Sequence, residues 1–420
     1  MVEKIYDWIG GAILEEHSKR KHKILREYIF DYINVRCKRP QQNRFRLAIV
    51  EGFAGAGRYQ CGAPGSPLIF IEELKHATES VNAHRNSQGL CAVEIEFLLI
   101  CNDADRNAIE ILKSNISPLQ IEIAQTATKL HFRVEYLSGS FGESYPKIKD
   151  FLDKGRYRNV LFILDQYGHS HVEGTTILDI MQSYSAVEIF YTFAITSLIA
   201  FLQKSQPERL RAQLNHIGIS DINFQALDSV SSRREWLGTA EKIVFDTFRL
   251  FAPYVSPFSI NNPGGWRYWL IHFAKSYRAR QVYNNILHDN ATMQAHYGRS
   301  GLNMLSYDPR DHEGELYLFD LDGRKSAKEQ LLEDIPRLVA ESGNAISTVE
   351  FYESIYNLTP THADDIHAAI MENSDLQVIT PAGRERRRAN TIAVDDIIKL
   401  KIQRTFFPMF SNLDLKKNSR

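Results

Sequence analysis

A chain of 420 residues with 44% hydrophobic content is long enough for two or three domains with buried cores, and it reads as a folded protein. Its 50 Lys and Arg against 51 Asp and Glu leave a formal charge of -1, so attraction to nucleic acid has to come from local patches and not from a global field. No apolar run approaches the ~20 residues a bilayer span needs, and the first residues lack a basic-then-apolar signal pattern, so a cytoplasmic protein without membrane contact is expected.

In chain order, "SKRKHKILREYIFDYINV" (18–35) puts Ile24, Leu25, Tyr28, Ile29, Tyr32 and Ile33 along one side, the spacing of an amphipathic helix. A first strand is predicted at "FRLAIVE" (45–51), and it runs directly into "GFAGAGRY". Gly52, Gly55 and Gly57 let the chain turn sharply and let its backbone approach a ligand, which in a parallel sheet binds beyond the carboxyl ends of the strands. The bland alternative is a tight turn. A helix should begin at "GSPLIFIEEL", with Ser66 as N-cap and Pro67 in the first helical position. That start lies some way from the glycines, and no Lys-Ser/Thr pair follows them, so a phosphate loop is disfavoured.

The second strand, "IEFLLICN" (95–102), delivers Asp103 with Asp105 two residues on. An acid there commonly holds a ribose diol, while either residue could instead cap the helix that follows. Further strands are predicted at "HFRVEYL" (131–137), "NVLFILD" (159–165) and "AVEIFYTF" (186–193), with helices between them. The fourth ends in Asp165, Gln166, Tyr167 and Gly168, where an acid can accept a hydrogen bond from an amino group while a ring stacks on a flat substrate. His169 and His171 follow and could carry protons, though loop surface is the commoner use of such residues. "YVSPFSI" (254–260) and "RYWLIHFA" (267–274), joined by "NNPGGW", look like a closing antiparallel pair. No metal site is expected, because Cys37, Cys61, Cys91 and Cys101 are irregularly spaced free thiols and no third ligand joins the two histidines.

The last stretch changes character. Two short helices, 349–356 and 363–372, are separated by "NLTPTH", with Thr361 as a candidate N-cap. A strand-turn-strand follows, in which "LQVITPAG" and "TIAVDDIIKL" flank a turn carrying Arg384, Arg386, Arg387 and Arg388. This is the outline of a winged helix whose arginine turn meets phosphates, with His362, His367 and Asn373 as the base readers on the second helix. The acids Asp364, Asp365 and Glu372 on that helix oppose the reading, and such turns are often plain solvated surface.

Taken together, the arrangement resembles the S-adenosylmethionine-dependent methyltransferases. More narrowly, "HSKRKHKILREY", "EGFAGAGRY", "GSPLIFIEEL" and "LDQYGHSHV" resemble the three-Cys-motif partner (TcmP) family in order and spacing over most of residues 17 to 300. The resemblance implies a Rossmann-like core, a winged-helix tail and a partner protein that bears the three cysteines, which are not those of this chain. It implies that Glu51, Gly52, Gly55 and Gly57 line the methionine end of the cofactor with Phe53 beside them. Asp103 would bind the ribose, and Ser140 would face the adenine edge where many methyltransferases carry an acid. Asp165, Gln166 and Tyr167 would stand in the place of the acid-Pro-aromatic motif of amino methyltransferases, with Gln166 where Pro is usual.

The sequence reading is therefore an α/β protein with a Rossmann-like methyltransferase sheet, mostly parallel with an antiparallel closing strand, followed by a C-terminal winged helix. Its expected divisions are 1–300, a connector over 301–345, and 346–420. No Pro-Cys dipeptide occurs, which removes the nucleophile expected of cytosine C5 methyltransferases and leaves an exocyclic amine or similar nucleophile of a nucleic acid as the expected target. The competing class is a catalytically inactive scaffold that brings nucleic acid or protein to a partner enzyme, and Gln166 and Ser140 are the residues that favour it.

Overall fold

A computed structural model describes residues 8, 11–166, 171–195, 215, 233–260, 268–291, 293–297, 300–306 and 315–401. The chain is an α/β protein built on a nine-stranded mixed sheet of order β3-β2-β1-β4-β5-β7-β6-β8-β9, consistent with a Rossmann-like fold. The parallel strands are β1 (Arg44–Glu51), β2 (Glu94–Asp103), β3 (Leu130–Ser138), β4 (Asn159–Leu164) and β5 (Ala186–Phe193). All five fall where the sequence predicted them; β1, β2, β4 and β5 are near-continuous Val, Ile, Leu and Phe because they are covered on both faces, whereas the edge strand β3 is only partly buried.

The closing pair is also as read. β6 (Tyr254–Ile260) and β7 (Tyr268–Ala274) are antiparallel, and β7 inserts between β5 and β6 with Phe193 opposite Trp269. The "NNPGGW" turn lies outside the described residues. Two short strands not anticipated from the sequence, β8 (Met293–Tyr297) and β9 (Glu315–Tyr317), extend this antiparallel side.

Helix α1 (Glu16–Arg36) buries Ile24, Leu25, Tyr28, Ile29, Tyr32 and Ile33, and each such side chain contributes on the order of 1.5–3 kcal/mol by leaving water. Tyr28 donates to Glu188 of β5, which also bonds His272 of β7 at 3.0 Å, so α1 is fixed across the parallel-antiparallel junction. α1 packs on α2 (Ser66–Ser87). The cap of α2 is Gly65, not Ser66, which moves Pro67 to the second helical position. Near the end of α2, Arg85 is buried and all five of its N–H bonds reach backbone carbonyls: Cys91 at 2.8 Å, Cys37 at 3.1 Å, Arg39 at 2.9 Å, Pro40 at 3.1 Å and Gln42 at 2.9 Å. The loop from α1 to β1 is wrapped around this one guanidinium.

Among the described residues, the remaining helices beside the sheet are α3 (Arg106–Thr126), α4 (Phe141–Lys154), α5 (Gly174–Ser183), α6 (Arg233–Phe248) and α7 (Tyr277–Asn290). Beyond them lies a second core. Leu331, Ile335 and Val339 of α8 (Leu321–Glu341) pack with Phe351 and Ile355 of α9 (Thr348–Ile355) and Ile366 and Ile370 of α10 (Ala363–Glu372). Val378 and Ile398 join from a small antiparallel sheet of β10 (Ala345–Ser347), β12 (Ile397–Leu400) and β11 (Leu376–Ile379). The stretch 301–345 is thus not a plain connector, since α8 supplies a wall of this core. Gln281 of α7 donates to the Tyr356 hydroxyl at 2.6 Å and joins the two cores. Among the described residues no helix is long and apolar enough to cross a membrane.

Candidate functional site

At the carboxyl ends of β1, β2, β4 and β5 lies a cavity of about 400 Å³, lined by the β1-α2 loop, Asp103 to Asp105, Asp165, Gln166, Thr192, Tyr268 and the first turns of α1. That volume is within the range of small-molecule sites. The loop is held by backbone bonds: Gly52 N–H to Ile163 at 3.0 Å, Ala54 N–H to Asn102 at 2.8 Å and Gly65 N–H to Gly57 at 2.8 Å. The buried Asn102 side chain donates to the carbonyls of Gly52 at 3.1 Å and Gly139 at 3.0 Å, locking two of the loops that follow strands.

The glycines have distinct reasons to be there. A Cβ on Gly52 would meet Leu164 and Phe141 at 2.9 Å, and one on Gly57 would meet Leu112 at 2.5 Å, so both are required by the protein's own packing. Gly55, at φ +59°, carries the Trp8 indole, 2.6 Å from where a Cβ would stand. Its N–H donates to Asp103 Oδ2 at 2.8 Å. Asp103 Oδ1 accepts from the Asp105 N–H at 2.9 Å, and Asp105 in turn caps α3 by accepting from Asn107. The two acids therefore divide the roles weighed for them: Asp105 is the cap, and Asp103 faces the cavity. Burial raises the Asp103 pKa, against the pull of its two backbone donors.

On the opposite wall, Asp165 forms an ion pair with Lys21 of α1. Burial acts to raise the Asp165 pKa, but the Lys21 ammonium and the Thr192 hydroxyl outweigh it and hold the carboxylate below its ordinary value. His22, beside the pair, is pushed down to about 3 by burial and by Lys21, so it is neutral at physiological pH. Its Nε2 lies 3.5 Å from the Tyr59 hydroxyl, and His17 stacks on Tyr268 with ring centroids 4.7 Å apart.

Lys21, His22, His17, Trp8, Thr192 and Tyr268 were not singled out from the sequence as site residues. For Lys21 a signal existed: it lies four residues before Leu25 and seven before Tyr28, on the buried stripe of α1. A basic residue there needs a buried acid.

Other predicted residues take different places. Glu51 is fully buried behind the cavity, and among the described residues its carboxylate makes no hydrogen bond of good geometry. Burial pushes its pKa up to about 8, with the nearby Ser66 hydroxyl offsetting part of the effect. Phe53 lines the cavity, its ring 6.3 Å from that of His171. Gln166 is buried and its amide is bonded at both ends, donating to the Tyr191 hydroxyl at 2.6 Å and accepting from the N–H groups of His171 at 2.9 Å and Val172 at 3.1 Å. Tyr167 and His169 lie outside the described residues. Ser140 does not line the cavity: it is exposed and caps α4 in a reciprocal pair with Glu143, because a serine three residues before a glutamate at a helix start satisfies two backbone donors.

The arginine turn is divided as well. Arg386 forms a two-bond ion pair with the fully buried Asp396, at 2.9 and 3.1 Å, and is not available to phosphate. Arg384, Arg387 and Arg388 are exposed. Replacing Arg386 by Ala is expected to lower the melting temperature, because it strands the fully buried Asp396. Arg387→Ala should leave the melting temperature unchanged, and equal effects of the two in thermal denaturation would refute the assignment.

The expected base readers are engaged inside the protein. His362, not Thr361, caps α10 through Nδ1, His367 bonds the Tyr352 hydroxyl at 2.5 Å, and Asn373 donates to the Leu332 carbonyl at 2.7 Å. α8 covers α10 with Arg324 on Asp365 at 2.8 Å and Lys328 on Glu372 at 2.7 Å, which accounts for two of the three acids that opposed a phosphate-facing helix, Asp364 being exposed.

Fold and site together define an α/β protein with a polar, acid-lined cavity at the carboxyl ends of its parallel strands. No protein-family model and no curated protein matches the chain.

Proposed function

We propose that the protein binds S-adenosylmethionine in this cavity and methylates an exocyclic amine or similar nucleophile of a nucleic acid, together with a three-Cys-motif partner protein. The observation that carries the reading is the setting of Asp103. Two backbone N–H groups hold it at the cavity wall and occupy one acceptor position on each oxygen, leaving others open for a ribose diol.

The rest of the lining suits the same ligand. Asp103, Asp105 and Asp165 favour a sulfonium cation, and Lys21 and Arg58 favour a carboxylate. Bound there, the cofactor supplies an electrophilic methyl group. On the protein side, Asp165 is kept ionised by Lys21 and can accept a hydrogen bond from an amine, orienting its lone pair. The locked Gln166 amide fixes the end of β4 in place of the usual proline, and the role of stacking on the base is assigned to Tyr167 from the sequence alone. The C-terminal unit we read as a winged helix, in which contact with phosphates is confined to Arg384, Arg387 and Arg388 because α10 is covered by α8.

One observation favours the scaffold reading instead: the Asp165 carboxylate already has an amine, that of Lys21, against it. Two measurements separate the readings. Calorimetric titration with S-adenosylhomocysteine should show binding, and Asp103→Asn should weaken it about tenfold, the effect of one charge-assisted hydrogen bond. Asp165→Asn should keep that binding and lower labelled-methyl transfer to bulk nucleic acid by roughly 10²–10⁴. No heat with wild-type protein would sink the cofactor assignment. Binding without transfer, with the partner protein present, would establish the scaffold.

A further inference from the structure

The opposite end of the same strands holds a larger concavity, about 760 Å³, with seven arginines in its lining. Arg36 and Arg39 come from the end of α1 and its loop, Arg44 and Arg46 from the start of β1, Arg156 and Arg158 from the turn before β4, and Arg278 from the start of α7. Glu96 pairs with Arg44 and, at 2.6 Å, with Arg46. Among the described residues, the Arg36 and Arg278 side chains bond the neutral amides of Asn159 and Gln281 and no carboxylate. Among the described residues, Arg39, Arg156 and Arg158 have no side-chain hydrogen bond or ion pair, and all three are exposed. Five guanidinium groups thus face one opening without a carboxylate partner among the described residues, in a protein whose total charge is -1.

The groups are also held ready. Arg36 lies 5.7 Å from the centre of the Phe45 ring, and Arg46 lies 4.8 Å from that of Tyr157. The loop carrying Arg39 is fastened through four of its carbonyls by the buried Arg85. Arg156 stands at φ +52°, in the left-handed position after a helix end that glycine usually fills. Keeping an arginine there carries a backbone penalty with no internal bond of its side chain to offset it, which marks the side chain as serving something outside the chain.

We propose that this cleft binds the phosphodiester backbone of a nucleic acid. Phosphates recruit guanidinium groups through paired N–H bonds and charge. The only aromatic ring in the lining, Phe45, is buried and unable to stack on a base, so recognition falls on the backbone and is independent of sequence. Eight residues of β1 separate the cleft from the cavity, roughly 25 Å of strand, so nucleic acid on the cleft is anchored well away from the proposed cofactor. The proposal does not depend on the methyltransferase reading.

The test is fluorescence anisotropy on labelled 20-nucleotide RNA and 20-base-pair DNA across a salt series, with wild type and the combined variant Arg39→Ala, Arg156→Ala and Arg158→Ala. Each lost phosphate contact removes roughly 0.7–0.9 from the slope of log affinity against log salt, so the slope should become shallower by about 2–3. Affinity near 100 mM salt should fall by at least tenfold for every sequence tried. Unchanged melting would confirm that the fold is intact. An unchanged slope would overturn the proposal, and so would competition by polyglutamate as effective as that by RNA, which would assign the cleft to an acidic protein. Titrating the same variant with S-adenosylhomocysteine separates the two readings. A wild type that binds no cofactor but shows the slope change overturns the methyltransferase and leaves the cleft standing.

Discussion

Arg85→Met is expected to destabilise the protein by about 3–5 kcal/mol, lowering the melting temperature by roughly 5–10 °C. The buried guanidinium donates to five backbone carbonyls, and no carboxylate shares it. Methionine fills similar space but returns none of those bonds. Carbonyls at the loop surface, that of the exposed Cys91 among them, can turn to water, whereas that of the buried Cys37 is left without its donor, so the cost stays below the sum of five bonds. Lysine at the same position should recover only part of the loss, since an ammonium has three donors and no planar fork. A melting temperature within about 2 °C of wild type for Arg85→Met would refute the role. The same variant should weaken nucleic-acid binding at the arginine cleft, because the loop bearing Arg39 loses its anchor.

The second large effect concerns Glu51 and pH. Its carboxyl keeps its proton up to about 8 in the folded protein, against 4.5 ordinarily, because burial disfavours the charge. The folded state therefore binds more protons than the unfolded one between those values, and stability falls as pH rises through that window. The contribution is complete below about 4.5 and lost above about 8, in total on the order of 3–5 kcal/mol. Glu51→Gln removes the titration. Chemical denaturation at pH 5, 6, 7 and 8 should show the variant gaining on the wild type at each step. Parallel stability curves would mean that Glu51 finds a charged partner on folding.

The sheet was legible because physics writes it locally. A strand buried on both faces is a continuous apolar run, and "NVLFIL" or "AIVE" admits few other uses. Strands β8 and β9, of five and three residues, are too short to make a pattern. The second core was half legible: the two short helices and the strand pair were read, but the wall formed by α8 depends on packing that no window of sequence contains.

Much the same divides the cavity. The glycine loop and Asp103 were read correctly as neighbours, since both end adjacent strands. The Lys21 and Asp165 pair joins residues 144 positions apart, and only the three-dimensional fold brings them together. Ser140 and Arg386 were misplaced for one reason: each had a nearby acid in sequence, Glu143 and Asp396, and local satisfaction took precedence over a ligand.

The insertion of β7 between β5 and β6 has a consequence for how the chain is made. β5 is almost entirely buried in the finished sheet, yet its antiparallel neighbour begins about 75 residues later in the chain. At a synthesis rate of roughly 5–20 residues per second, an apolar strand edge waits about 4–15 s on the ribosome for its partner. Throughout that interval Ala186–Phe193 is an open pairing template of the kind that native sheets cover or blunt. The yield of soluble protein should therefore be set less by the stability of the finished fold than by what shields β5 during those seconds.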